Sequence, residues 1–206
     1  MQLSGLHFRA LLRCAIGLAA LLALGGCATT RIIDSEVRSF AGSTVPNTPA
    51  SYRFERLPSQ DLQAKAQDQL ETMAQPLLES VGLRKSDNAP QYALQMTATV
   101  QAIQNPSYGP YWRRQSWMDR DGLMLFPSMG LMLEPRWHRY SVSLVLRDIA
   151  TSRTVFESTA QHFGPWSDYQ QLLPAVIRAA LSDYPRAQPQ PHPVLIEISP
   201  TAATSP

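Results

Sequence analysis

Strict alternation of apolar and polar residues over long segments is the feature that most restricts the fold of this chain. In residues 92–103, Tyr, Leu, Met, Ala and Val occupy even-numbered positions, and the Gln and Thr residues occupy odd-numbered positions. The same period of two runs through residues 137–148, and after a small-residue turn at 150–153 it returns in residues 154–162. Because side chains alternate between the faces of a strand, the pattern predicts antiparallel strands with one buried and one polar face. The last two segments form a predicted hairpin.

Two other segments repeat their apolar residues every three or four positions, which is the spacing of one helix face. The first begins near Ser59, a suitable N-cap, and ends at Gly82. Its apolar face consists of Leu62, Ala66, Leu70, Met73, Leu77 and Val81. Pro76 removes a helical hydrogen bond, so we expect a kink or a new helix start there. The second helix begins after Ser167 or Asp168, and its apolar residues are Leu172, Leu173, Val176, Ile177, Ala180 and Leu181.

The order of the elements predicts the fold class. Two shorter strands, at residues 31–40 and 51–56, precede the first helix, and residues 105–136 are a long irregular insertion rich in Pro, Gly, Trp and Met. The tail from residue 186 is rich in proline and has one predicted strand at 194–198. This order predicts an α+β fold, with an antiparallel sheet, two helices packed on one face and the insertion between strands.

The N-terminus carries an export signal. His7, Arg9 and Arg13 are basic, and residues 14–24 form an uninterrupted apolar run. Such a run falls within the roughly 7–15 residues of a secretory signal and below the ~20 residues that span a bilayer. Small residues Gly25 and Gly26 follow it. We therefore predict that residues 1–26 are a cleaved signal peptide.

The charge and the cysteine content of the chain argue against a nucleic-acid partner and against an intramolecular disulfide. The chain has 18 basic and 16 acidic residues, and loss of Arg9 and Arg13 with the signal leaves 16 of each. A chain without surplus cations is poorly suited to phosphate contacts, so we expect no nucleic-acid partner. Cys14 leaves with the signal peptide and Cys27 is the other cysteine. An intramolecular disulfide is therefore not expected.

The run Leu24-Gly25-Gly26-Cys27 resembles the bacterial lipobox. The resemblance implies a diacylglyceryl thioether on Cys27, cleavage before this residue, and an N-acyl chain on the freed amine. More than one acyl chain gives stable anchoring. Ala28 stands where lipoproteins retained in the inner membrane of enteric bacteria carry Asp. The implied location is the periplasmic face of the outer membrane of a Gram-negative bacterium.

Further motifs accompany the lipobox. They are SYRF at 51–54, GLR at 82–84, the hairpin YSVSLVLRDIATSRTVFESTAQ and the closing AVIRAALSDYP. Together they resemble the bacterial lipoprotein family DUF4136 over residues 30–185, with Asp148 and Phe156 at the family's hairpin positions. The resemblance implies fold and compartment, and no activity. We divide the chain into the signal peptide (1–26), a lipidated N-terminus with the first strand and a loop (27–50), an α+β lipoprotein domain (51–185) and a Pro-rich tail (186–206).

The insertion holds the candidates for partner or ligand contact, which are Trp112, Trp117, Met124, Phe126 and Met129. Tryptophan combines a large apolar face with one polar group, and methionine adapts to irregular surfaces. Two interpretations remain open. The segment is a loop that binds a protein, lipid headgroups or glycan, or it packs its large side chains over the sheet.

Metal and catalytic patterns are weak. His138 and His162 lie on opposite arms of the predicted hairpin, where Glu157 would complete a zinc site, but the spacing matches no zinc motif. No nucleophile, base and orienting residue assemble in the sequence. We predict a non-enzymatic protein without metal or cofactor, apart from the lipid on Cys27, that maintains the envelope by binding an envelope protein. The alternative is an accessory lipoprotein of an envelope transport system that binds lipid or another apolar ligand.

Overall fold

A seven-stranded sheet dominates the structure, a computed structural model that describes residues 30–44, 46, 48–103 and 136–198. Its strands are β1 (Arg31–Ala41), β2 (Ala50–Phe54), β3 (Leu83–Lys85), β4 (Tyr92–Ile103), β5 (Trp137–Asp148), β6 (Thr154–Gly164) and β7 (His192–Ile198). The helices are α1 (Pro58–Asp61), α2 (Ala64–Ser80) and α3 (Tyr169–Ala180). The strand order across the sheet is β3-β2-β4-β5-β6-β1-β7.

The chain divides into two units. Ile32–Ile196 is one of them, and the other combines residues 1–31 with 197–206. Of that second unit, only Thr30, Arg31, Glu197 and Ile198 are described. The signal peptide, the lipobox with Cys27, and the insertion up to residue 135 lie outside the described residues.

The long alternating segments form the centre of the sheet, as the sequence predicts. β4 and β5 are antiparallel and pair along all 12 residues of each strand. β6 is antiparallel to β5, and β1 is antiparallel to β6. Alternate residues are buried, among them Leu94 and Met96 in β4, Val142 and Leu144 in β5, Phe156 and Ala160 in β6, and Ile33 and Val37 in β1. α2 contacts β3 and β4, whereas α3 contacts β5 and β6.

The prediction of an antiparallel sheet is wrong at β2. This strand runs parallel to both β3 and β4, so the sheet is mixed. The chain leaves β2 through the two N-terminal helices and enters β3 in the same direction, which is the connection that parallel strands require. Gly82, with a φ of 88°, turns the chain from α2 into β3, and its carbonyl accepts a hydrogen bond from Ala50 N at 3.0 Å.

The first predicted helix is divided, and its buried face differs from the prediction. α1 ends at Asp61, Leu62 lies between the helices with 88% of its surface exposed, and Pro76 lies inside α2. The buried residues of α2 are Gln67, Leu70, Glu71, Ala74 and Leu78. Two of these residues, Gln67 and Glu71, are polar. A prediction from the spacing of apolar residues alone therefore selects the wrong face of the helix.

Hydrogen bonds explain the burial of the two polar residues. The guanidinium of Arg56 donates to both carboxylate oxygens of Glu71, each at 2.7 Å, and to Asp68 at 2.6 Å. Gln67 Nε2 donates to Glu71 at 3.0 Å and to the main-chain oxygen of Met96 at 3.2 Å. Buried polar groups are tolerated where they are paired in this way. The network therefore connects α2 to β4.

The hairpin turn and the last helix follow the prediction closely. Asp148 Oδ1 accepts hydrogen bonds from Thr151 N at 2.7 Å and Thr151 Oγ1 at 2.9 Å, and Ser152 takes a φ of 57°. These bonds, led by the one from the Thr151 amide, lower the pKa of Asp148. α3 begins at Tyr169, directly after Asp168. β7 begins at His192, two residues before the predicted strand.

We expect Leu144→Ala to lower the free energy of unfolding by about 2–5 kcal/mol, because Leu144 is buried under the helices. Leu62→Ala makes the same chemical change at an exposed position and should cost no more than about 0.5 kcal/mol, as should Gln101→Ala on the polar face. Urea unfolding of the three variants measures the differences. Equal losses at Leu144 and Gln101 would contradict the assignment of the strand faces.

Candidate functional site

Four strands meet at one end of the sheet. β4 ends at Ile103, which pairs with Trp137 at the start of β5, and His138 pairs with Gly164 at the end of β6. β1 begins at this end because it is antiparallel to β6. We call it the insertion end, since the chain leaves after Ile103 and returns at residue 136. The opposite end, which carries the β5–β6 turn, is the hairpin end.

A buried histidine lies at the insertion end. His162 is only 4% exposed, and its Nδ1 lies 2.6 Å from the main-chain oxygen of Asp34. A carbonyl can only accept, so Nδ1 donates, and Nε2 of a neutral ring is then an acceptor. Nε2 is buried and has no hydrogen-bond partner in the described part of the chain. Nε2 is therefore the ring nitrogen of His162 that the described residues leave without a partner.

Aromatic rings surround this histidine. The Trp166 ring is stacked on it at 4°, with the centroids 6.3 Å apart, and the Tyr140 ring lies 6.2 Å away. The Tyr140 hydroxyl donates to the main-chain oxygen of Trp166 at 3.3 Å. Burial, and secondarily the charge of Asp168, raise the pKa of Tyr140, so its hydroxyl keeps its proton at neutral pH. The cluster is fixed by packing and by main-chain hydrogen bonds.

Gly164 has no side chain, and this leaves room for the His162 and Trp166 rings. A Cβ at this position would lie 2.9 Å from His162 Nε2 and 3.2 Å from Trp166 Cε3. Real Cβ contacts are longer, so a side chain at position 164 would displace one of the two rings. The His162 ring thus lies next to residue 164, which has no side chain.

The zinc set weighed from the sequence is not assembled. His138 lies on the same face as His162, diagonally across β5 and β6, and its Nδ1 is also buried without a partner in the described chain. Glu157 lies on the opposite face, because it is five positions before His162 and faces alternate along a strand. The described residues contain no group of three side chains that could hold a metal ion.

Exposed apolar side chains lie on both faces of the insertion end. Ile32 is 60% exposed in β1, and Phe163 is 39% exposed on the face opposite His162. The Arg139 guanidinium lies 5.1 Å from the centre of the Phe163 ring. On the other face Val100, which pairs with Tyr140, and Trp166 are also exposed. We call Ile32, Val100, Phe163 and Trp166 the apolar rim.

A serine, an aspartate and a histidine meet elsewhere, beside β7. Ser39 Oγ donates to Asp183 Oδ2 at 2.5 Å, and His192 Nε2 lies 3.1 Å from Asp183 Oδ1. The carboxylate is between the other two groups, so the imidazole cannot take the proton of the serine as a catalytic base would. Ser39 is fully buried and also bonds the main chain of Gln188 through N and Oγ. The arrangement fastens the segment after α3 to β1.

The predicted site residues and the observed cluster do not coincide. Those predicted residues, Leu24, Gly25, Gly26, Cys27, Trp112, Trp117, Met124, Phe126 and Met129, lie outside the described residues. From the sequence, His162 is weighed as a zinc ligand against the default of a surface or hydrogen-bonded histidine, and Gly164 and Trp166 are missed. The available signal was Gly164 itself, followed by Pro165 and Trp166, because glycine within a strand often marks a close approach. No helix in the described residues is long and apolar enough to cross a membrane.

The fold defines a small α+β domain built on one mixed sheet, with a histidine–aromatic cluster at one end. The chain belongs to the family described as Domain of unknown function (DUF4136), whose profile matches residues 39–186. This confirms the family resemblance seen in the sequence motifs. The match begins within β1, so it does not include the lipobox. No match was found among curated proteins.

Two solved structures are similar at low identity. A PDZ domain protein from Parabacteroides distasonis has a TM-score of 0.50 and 12% identity, over 85% of this chain and 42% of that one. The PelC dodecamer from Paraburkholderia phytofirmans has a TM-score of 0.43 and 14% identity, over 75% of this chain and 99% of that one. The first likeness concerns the fold alone.

Gly164→Ala tests the packing of the cluster. We expect it to lower the free energy of unfolding by about 1–3 kcal/mol, because the new methyl group overlaps the His162 and Trp166 rings. In a His162→Ala background, which removes the nearest ring, the same change should cost clearly less. Thermal unfolding of the four proteins completes the cycle, and additive effects would show that Gly164 does not accommodate His162.

Proposed function

We propose that this protein is a lipoprotein anchored at the periplasmic face of the outer membrane, where it maintains the envelope by binding another envelope protein. The single observation that carries the proposal is the sequence Leu24-Gly25-Gly26-Cys27 after an 11-residue apolar run. Small residues before a cysteine suit the signal peptidase that cleaves lipoproteins, and the thiol is needed for the thioether. Acyl chains contribute about 0.8 kcal/mol per buried methylene, so more than one chain holds the protein at the membrane.

A binding role accounts for the polar chemistry of the described residues better than a catalytic role does. Ser39 is buried and donates to a carboxylate, which makes it a structural donor rather than a nucleophile. Arg56, Glu71 and Gln67 are engaged with one another between α2 and β4. Each of these groups stabilises the fold, which leaves recognition to the exposed surfaces and to the insertion.

Two depressions in the described part of the chain can be compared with what the alternative, an apolar ligand, requires. The described depression between β1 and β7 measures about 180 Å³ and is lined by Asp34, Glu36 and His192 among others. Pockets for lipid-sized ligands are usually about 300–1,000 Å³ and mainly apolar. A second depression of about 370 Å³ on α2 is open and lined by exposed residues such as Lys65 and Gln69. Neither provides an enclosed apolar site for the alternative function.

Anchoring is tested by replacing the acylated residue. Cys27→Ser removes the only thiol that can form the thioether, so palmitate labelling should disappear and the protein should remain uncleaved or become soluble. Cys14→Ser is the matched control, because that residue leaves with the signal peptide and labelling should persist. Metabolic labelling and membrane fractionation provide the readout. Retention of label and outer-membrane fractionation by Cys27→Ser would refute the proposal.

The binding role of the insertion is tested by shortening it. Replacing residues 107–133 with a Gly/Ser linker should leave cooperative unfolding intact, because Ile103 and Trp137 are paired neighbours and a short linker can join them. The same change should remove the protein that copurifies with the intact lipoprotein. Trp112→Ala with Trp117→Ala is a second variant that keeps the length of the segment. Loss of cooperative unfolding in the shortened protein would show that the insertion completes the core.

A further inference from the structure

We propose that the insertion end of the sheet lies against the phospholipid surface of the membrane that holds the Cys27 lipid, with the apolar rim at the headgroup level. The inference rests on the lipidation in the proposed function and adds an orientation to it. Its partner is the bilayer itself, recognised through exposed apolar and aromatic side chains beside cationic ones.

The segment between Cys27 and Ile32, which we call the tether, is short, and its length restricts where the domain can lie. Cys27 is five residues before Ile32, which is in the first strand of the sheet. Even a fully extended chain covers at most about 3.3–3.6 Å per residue, so roughly 18 Å separates the acylated residue from Ile32 at most. β1 begins at the insertion end. The covalent anchor therefore keeps this end of the sheet within reach of the bilayer, whereas it places no such restraint on the hairpin end.

The sheet is long enough to make the two ends distinct. β5 has 12 residues, which at about 3.3 Å per residue gives a strand of roughly 40 Å. The headgroup and acyl boundary in which interfacial side chains lie is only about 5–10 Å deep. A domain tethered by one end can thus contact lipid with that end while the hairpin end remains in the aqueous phase.

The side chains of the apolar rim suit the interface. Ile32 and Phe163 are exposed on one face of the sheet, and Val100 and Trp166 on the other. Tryptophan is enriched at membrane interfaces because it has an apolar ring and one polar group. Exposed apolar residues also occur elsewhere, for example Leu62 and Ile149, so their presence alone decides nothing. The rim differs because the tether holds it near lipid.

Charge at this end is compatible with anionic headgroups. Arg136 precedes β5 and is exposed, and Arg139 is exposed above the Phe163 ring. Cations close to a membrane surface are attracted by its negative potential. Asp34 and Glu36 in β1, and Asp168 close to Tyr140, are acidic side chains at the same end that oppose this attraction. Binding should therefore combine apolar contact with a modest dependence on anionic lipid.

The acylated protein offers a direct test because its own thiol is consumed by the lipid. Phe163→Cys and Ile149→Cys each introduce a single reactive thiol, at the insertion end and the hairpin end, and the two native side chains are similarly exposed, at 39% and 36%. Each acylated variant is labelled with bimane and reconstituted into phosphatidylethanolamine–phosphatidylglycerol vesicles carrying a nitroxide on the headgroup. Val100→Cys is a second reporter at the insertion end if Phe163→Cys fails to fold.

We expect the nitroxide lipid to quench the label at position 163 or 100 several-fold more strongly than the label at 149. Equal quenching at the two ends, or stronger quenching at 149, overturns the proposed orientation. If the protein sediments with the vesicles in that case, the lipoprotein assignment stands and only the orientation falls. If the protein expressed with its signal peptide carries no acyl chain and does not sediment with membranes, both proposals fall.

Discussion

The pairing of β4 with β5 is the interaction on which the rest of the architecture depends. Its register joins Ile103 to Trp137 at one end and Tyr92 to Asp148 at the other, without interruption. The insertion is thereby forced to begin and end on neighbouring strands, and the tight turn after Asp148 is forced to the opposite end. Because β6 and β1 continue the antiparallel order, β1 begins at the same end of the sheet as the insertion.

The sequence predicts this central part of the fold because burial on one face leaves a period of two. The bounds of β4 and β5 coincide with the alternating segments, and Leu144, chosen from the pattern, is buried. β3 could not be found this way, since a strand of three residues has no measurable period. The parallel direction of β2 follows from its place beside β3 and β4, which local sequence does not encode. The burial of Glu71 depends on Arg56, a partner 15 residues away.

The cluster at the insertion end was only partly accessible from sequence. Placing His138 and His162 on facing arms of the hairpin is consistent with the structure, where both lie on one face. Glu157 and His162 are an odd number of positions apart in one strand, so alternation alone places them on opposite faces. The sequence was sufficient for this conclusion. Gly164 escapes any periodicity argument, because its role is the absence of a side chain beside His162. The glycine itself marks a possible close approach, but which rings it accommodates becomes known only when the neighbouring strands are in place.

The orientation at the membrane also bears on what the insertion does. If the insertion end faces lipid, residues 104–135 leave and re-enter the domain next to the bilayer, so Trp112 and Trp117 belong to a segment that is tethered there by both of its ends. A partner bound by this segment must then be reachable from the membrane surface, which favours a protein embedded in the same membrane over a freely diffusing one. The hairpin end, with the Arg147–Glu55 ion pair, would then be directed to the aqueous phase. Partner binding by the insertion and lipid contact by the apolar rim therefore concern neighbouring surfaces at one end of the sheet. The quenching measured at the two ends tests the lipid contact separately from partner binding.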